Sequence, residues 1–479
     1  MCFFLKSRYV FQNTDFVCLK HMTRPKAEPF SVKRIKLAGY FPIYRRNLAL
    51  AFPVVLSQLG QVSVTLADTM MVGHTGTTEL AAASFANSVF LIGMLFGFGI
   101  TMGLTPLVGN AFSKGKDNEV AVLLKNGFTV HILSAILLVL ILGTASLFLD
   151  RMGQPEAVVR KAFPYFLILV VSLFPLLLFY SVKQFLEGVG NTKIAMMITL
   201  SANTVNIILN YILIFGKMGC PELGLNGAGI ATLTSRVLMP LMLVPFLLIN
   251  KPLMRFFRVA WKVKIHAGRI RRLLAVGIPI GFQIIIEVLT FSLGAVMMGW
   301  LGKNTLAAHQ IAMGMASTTY MASLGIGTGT TILVSHELGR NNPEMIRRTV
   351  FASLHMVFLF MSSMAVLFML LRQQLPFLFT DDNVVVQIAA RLLVVAGLFQ
   401  IFDGLQVVLA SALRGLSDVK IPMFIAFISY TLIGLPVSYF CAFVLKMDAV
   451  GIWTGFLFGL ACAAVQFGIR LKKIIRFQN

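Results

Sequence analysis

Charge is scarce in this 479-residue chain. Only 12% of its residues are Asp, Glu, Lys or Arg, about half the share of an ordinary soluble protein, which excludes a water-soluble globular chain. Cysteine is sparse too. Cys2, Cys18, Cys220, Cys441 and Cys462 are scattered without CxxC or Cys/His ligand spacing, so neither a disulfide framework nor a zinc site is indicated. The chain has no GxxxxGK[ST] motif, so ATP is not the evident energy source. The absence of HExxH, of paired carboxylates in a loop and of a sizeable polar domain argues against a membrane enzyme. Residues 1–46 are basic and irregular and lack the apolar core and small-residue cleavage site of a signal peptide. No cofactor is called for.

Apolar side chains fill the space that charge leaves. Hydrophobic residues are 57% of the chain, and mean hydropathy is +0.84. Twelve runs of roughly 20 apolar residues centre near 58, 92, 138, 171, 205, 238, 286, 319, 360, 399, 432 and 460. Each is near the length that spans hydrocarbon as a helix, and the short alternating segments of a barrel are missing. The formal charge of +23 follows the same plan. Of the 41 Lys and Arg, 32 fall in the termini and the even-numbered loops. Such one-sided excess marks the cytoplasmic face, so a multi-pass protein of the plasma (inner) membrane with both termini cytoplasmic is expected. Nucleic acid is not a partner on this reading, and membrane lipids are.

The sequence also repeats itself. FPVVLSQLGQVSVTLADTMMVGHTGTTELAAA, from Phe52, aligns with IPIGFQIIIEVLTFSLGAVMMGWLGKNTLAAH, from Ile278, at a constant offset of 226 residues. Pro53 meets Pro279, Gly73 meets Gly299, Gly76 meets Gly302, Gly99 meets Gly325 and Gly103 meets Gly329. A second match pairs FLEGVGNTKIAM with ALRGLSDVKIPM. Six helices per repeat is an even number, so both repeats start on the same side of the membrane. The expected fold is therefore an all-α integral membrane protein with 12 transmembrane helices in two parallel six-helix lobes, related by a pseudo-two-fold axis along the membrane normal. The expected divisions are a basic N-terminal segment 1–46, an N-lobe 47–250, a basic cytoplasmic linker 251–272 near anionic headgroups, a C-lobe 273–470 and a tail 471–479.

Ionisable residues inside these runs need a reason, because a charge at the bilayer centre costs at least about 2.5 kcal/mol. Glu287, Asp403 and Asp68 are such residues. Helical rise puts Glu287 roughly 22 Å past Arg272, and Asp403 roughly 16 Å from Arg414, so both lie at similar depth in the second repeat. Away from bulk water, such a pair favours neutralisation by a proton or a metal cation; the alternative is a protonated acid that stitches helices together. In the first repeat, Asn206 and Asn210 are one helical turn apart and share a face. With Asp68 and Thr232 they offer oxygen ligands to a hard cation such as Na⁺, against the alternative of amide-mediated helix packing. Arg236 is either paired with an acid or reaches towards the interface. His309 is a packing residue or a proton relay.

Taken together, LADTMMVG in the first helix, the mid-helix Glu287 in the seventh, AAHQIA opening the eighth and FDGLQVVLASALRG in the tenth resemble the MATE family of multidrug and toxic compound extrusion transporters, in its NorM-like branch. The resemblance implies a V-shaped pair of lobes that alternates between inward- and outward-facing states, exchanging Na⁺ or H⁺ for organic, mostly cationic drugs with no obligate protein partner. It assigns a C-lobe coupling site to Glu287 and Asp403, and an N-lobe polar site to Asp68, Asn206, Asn210 and Thr232. One position departs from the pattern: where NorM-like proteins often carry a Tyr one turn before the tenth-helix Asp, this chain has Phe399, with no phenol oxygen to offer. A flippase of lipid-linked saccharides would share the architecture but needs several cavity Arg or Lys to hold pyrophosphate, and only Arg236 lies mid-helix.

Overall fold

The paired prolines and glycines take on geometric meaning in the computed structural model, which describes residues 37–477. Residues 1–36 of the expected N-terminal segment, with Cys2 and Cys18, lie outside the described residues, as do residues 478–479 of the tail. The chain divides into Met1–Phe41, of which a 3-10 turn Leu37–Tyr40 is described, and Pro42–Asn479.

Among the described residues, the longer regular elements are all helical. They are α1 (Phe41–Gly73), α2 (Thr77–Ser113, interrupted at Gly103), α3 (Asp117–Ala145), α4 (Glu156–Gly188), α5 (Lys193–Phe215), α6 (Gly224–Ile249) and a short α7 (Lys251–Lys262). Then follow α8 (Ala267–Trp300), α9 (Lys303–Gly339), α10 (Pro343–Leu370), α11 (Asn383–Gly415), α12 (Lys420–Val444) and α13 (Asp448–Phe477). Eleven of them, all but α7 and α9, are long and apolar enough to cross a membrane. α9 is the run centred near residue 319. It has 37 residues and turns Thr319, Ser323, Thr330, Ser335 and His336 into the protein, where all are buried. Its polarity is thus spent on helix contacts rather than shown to lipid. By contrast, α3 exposes Leu133, Ile136, Leu137, Leu140 and Ile141, a single apolar stripe at helical spacing whose natural solvent is hydrocarbon.

Buried apolar side chains form two large clusters, one running from Val72 to Ile280 with Val419, the other from Met297 to Leu471. The change-over falls within α8, the first helix of the second repeat, between Ile280 and Met297. Both repeats keep their glycines for the same physical reasons. Gly76 and Gly302 precede α2 and α9 with φ of 148° and 116°, a conformation that side-chain-bearing residues avoid. Gly99 and Gly103 instead pack against the other repeat. A Cβ at Gly99 would overlap the backbone of Gly281, and one at Gly103 would come 2.8 Å from Gly277 N. Their counterparts Gly325 and Gly329 press on α1, first on the side chains of Val55 and Asn47 and then on the carbonyl oxygens of Ala51 and Asn47. The two repeats therefore meet through α2 against α8, backbone to backbone, and through α9 against α1, where side chains also intervene, towards the end where the basic loops lie.

Polar contacts reinforce that closure. Asn47 Nδ2 donates to Ser353 Oγ at 2.8 Å and to Thr330 Oγ1 at 3.3 Å, and a ring nitrogen of His336 lies 2.8 Å from the carbonyl oxygen of Gly188. Arg46 and Arg340 both reach Glu337, at 3.6 and 2.6 Å.

Candidate cation and substrate site

In the first repeat, three helices contribute to one polar chain. Asn210 of α5 donates through Nδ2 to Asp68 of α1 and to Asn206 Oδ1, the latter at 3.0 Å. Asn206 Nδ2 donates in turn to Ser235 Oγ of α6 at 3.4 Å. The one-turn spacing of Asn206 and Asn210 has placed both amides on the face that meets α1 and α6. Asn210 Oδ1 is buried with no partner among the described residues, so it retains acceptor capacity for a hard cation. Thr232 enters through its backbone carbonyl, which accepts from Ser235 Oγ at 2.9 Å. Ser235, three residues further along α6, is the hydroxyl the sequence reading missed.

Arg236 lies within electrostatic reach of Asp68, but its direct partners are other groups. Its Nη1 donates to Ser172 Oγ of α4 at 2.6 Å, and its guanidinium sits 5.2 Å from the centre of the Phe90 ring. A hydroxyl and an aromatic face satisfy part of the fork. Among the described residues no carboxylate forms an ion pair with it.

The second repeat places Glu287 on α8 and Asp403 on α11, within electrostatic reach of each other but joined by no hydrogen bond among the described residues. Tyr320 and Tyr430 fall within the same field, and Arg414 lies within electrostatic reach of Glu287. Asp403 is 5% exposed, whereas Glu287 is partly accessible. Glu287 faces a crevice also lined by Thr290, Phe291, Tyr430, Gly434, Phe456 and Gly459, with room for about one water molecule. That room is too narrow for an organic cation. Near Asp403, Thr319 Oγ1 bonds Gln400 Oε1 at 2.9 Å, while Gln400 Nε2 and Ser323 Oγ have no partner among the described residues. The wall opposite is α12, whose π-helical turns Phe427–Gly434 and Phe440–Val444 widen the helix around Tyr430, a deviation common at functional sites.

His309 and Phe399 support this region from behind. Trp453 Nε1 donates to His309 Nδ1 at 3.2 Å, which makes Nδ1 the acceptor and puts the proton of a neutral ring on Nε2. Phe399 packs 5.2 Å from Trp453 and 6.0 Å from Phe291, ring centre to ring centre. It is an apolar wall residue, 3% exposed. Sequence reasoning missed Tyr320, Tyr430 and Arg414. The tyrosines carried a legible signal, being hydroxyls inside apolar runs, whereas Arg414 read only as a helix-end marker.

The MatE family model matches twice, over residues 53–212 and 279–440, beginning at the paired prolines. The multidrug resistance protein NorM of Photobacterium profundum is 33% identical over 437 residues, covering 90% of this chain and 95% of that one. The multidrug resistance protein MdtK of Photorhabdus laumondii is 30% identical, covering 90% and 96%. In architecture, a Vibrio cholerae MATE transporter in its bent form superposes with a TM-score of 0.81 at 19% identity, over 92% of this chain and 99% of that one. A eukaryotic MATE transporter does so with 0.79 at 23% identity, over 92% and 99%. With two matched repeats, relatives aligned nearly end to end and an all-helical fold shared with solved transporters, the chain belongs to the MatE family of membrane transporters, on its NorM-like branch.

Proposed function

We propose that this protein exports lipophilic, mostly cationic organic compounds in exchange for Na⁺ or H⁺, with the two repeats acting as lobes, residues 47–250 and 273–470, that alternate access to the two sides of the inner membrane. The observation that carries the coupling is the pair Glu287 and Asp403 inside the second repeat, held without a neutralising ion pair among the described residues. A cation entering beside them removes the cost of the charges, and its departure restores it. Coupling requires only that the cation bind one access state more tightly than the other. The polar chain Asp68, Asn210, Asn206 and Ser235 is the second candidate cation site, with oxygens from three helices and an unpartnered amide oxygen. Contacts between the repeats at the basic end seal that side in this state. Transport requires them to break while the opposite side closes.

Ethidium efflux from cells expressing the protein, with and without a sodium gradient, tests the reading. Export that follows either gradient supports it. Ethidium retention equal to that of cells lacking the protein, with the protein present in the membrane, would overturn it.

A further inference from the structure

The linker between the repeats is more than a tether. α7 has the sequence KPLMRFFRVAWK, and Asn250 caps its start by accepting from Leu253 N at 3.4 Å. Its buried residues are Leu253, Phe256 and Ala260. Phe256 packs against Phe112 and Phe185 at 6.3 and 6.0 Å, and Phe257 against Phe185 at 5.6 Å. The apolar face of the helix is therefore used up on the first repeat. Further clips hold it there: His266 N donates to Asn126 Oδ1 at 2.8 Å, and Lys125 Nζ lies 4.9 Å from the centre of the Trp261 ring.

The opposite face is a stripe of charge. Lys251, Arg255, Arg258 and Lys262 are spaced by four, three and four residues, so they project from one side of the helix, and all four are exposed. Arg255 is engaged by Asp117 at 3.4 Å. Lys251, Arg258 and Lys262 have no acidic partner among the described residues. Because the helix follows the end of α6 at Ile249 and precedes the start of α8 at Ala267, it is confined to the membrane surface. The residues around it suit that level: Ile249 is 81% exposed, Trp261 79% and Ile265 52%, apolar and aromatic groups that belong at the hydrocarbon edge.

We infer that the stripe Lys251, Arg258 and Lys262 is a binding surface for the headgroups of anionic phospholipids in the leaflet on the side of the basic loops. A phosphodiester beside the hydrocarbon edge pairs with these charges while its acyl chains cover the exposed Ile249, Trp261 and Ile265. A free phosphate would leave the apolar groups uncovered. Basic groups near such a surface each strengthen the attraction. The inference needs only that the protein is inserted in a bilayer and does not rest on the exchange mechanism.

The test is native mass spectrometry of the purified full chain in detergent, with phosphatidylglycerol and phosphatidylcholine of matched acyl chains at equal concentration. Wild type should retain phosphatidylglycerol preferentially. The preference should fall about five-fold for each charge removed, as in Arg258→Gln and then Arg258→Gln with Lys262→Gln, and should persist in Arg258→Lys. Arg255 stays in place so that its contact with Asp117 is kept. Equal retention of the two lipids by wild type, or an unchanged preference in the triple variant Lys251→Gln, Arg258→Gln, Lys262→Gln, would overturn the inference. So would displacement of the lipid by inorganic phosphate at equal concentration.

Discussion

Gly103→Ala perturbs the closure between the repeats at a point where nothing soft can yield. The added methyl would sit 2.8 Å from Gly277 N and 3.0 Å from its Cα, whereas ordinary contact begins near 3.4 Å. The obstacle is backbone in mid-helix, so α2 and α8 must part by about half an ångström. Overpacking of this kind costs about 1–3 kcal/mol, borne only by the state in which the two helices touch, which moves the balance between access states by about 5- to 150-fold. A short thiol crosslinker between Arg46→Cys and Arg340→Cys, in a background without native cysteines, reports that state, because both wild-type side chains converge on Glu337. Crosslinking yield should drop in Gly103→Ala. It should hold in the control Gly143→Ala, where an added Cβ meets nothing within 4 Å. An unchanged yield in Gly103→Ala would refute the claim that this contact is a gate.

Three further outcomes follow from the site. Trp453→Phe removes the donor to His309 Nδ1 and leaves a buried acceptor unpaired, so a thermal-unfolding assay should show a loss of about 1–3 kcal/mol; an unchanged midpoint would mean the bond contributes nothing. Phe399→Tyr places a hydroxyl among Trp453 and Phe291, and should strengthen the sodium dependence of efflux if the second repeat binds Na⁺; a half-maximal sodium concentration identical to wild type would leave that region to protons. Arg236→Gln gives up the cation that Ser172 and Phe90 hold and should tighten sodium binding in the first repeat, read as a lower half-maximal sodium concentration; a higher one would show that Arg236 assists the cation rather than opposing it.

Much of the architecture was legible because it rests on strict local requirements. Gly76 and Gly302 share a backbone conformation, and Gly99 and Gly103 a close approach, so the repeat preserved them at fixed spacing. Cost in hydrocarbon likewise singled out Asp68, Glu287 and Asp403. Side-chain assignments within one helix face were harder. Thr232 and Ser235 lie a turn apart on α6, and only the packing depth of α5 decides which hydroxyl meets Asn206. Arg236 has a hydroxyl and a ring as partners because its planar fork accepts both, a choice that depends on α2 and α4, far away in sequence. The π-helical turns of α12, which pack against α13, left no readable signature. α9 was found as a run of helical length, yet its polar content makes sense only once its burial is known.

The central claim is that Glu287 and Asp403 couple an ion gradient to export. Its most direct test is drug uptake into inside-out vesicles bearing the purified protein, under an imposed sodium or pH gradient, for wild type, Glu287→Gln and Asp403→Asn. Both substitutions keep shape while removing the charge. Wild type should accumulate drug under at least one gradient, while each variant, inserted and folded to the same level, accumulates none above gradient-free vesicles. Gradient-driven accumulation at wild-type rate in either variant would contradict the account and return that carboxylate to a role in helix packing.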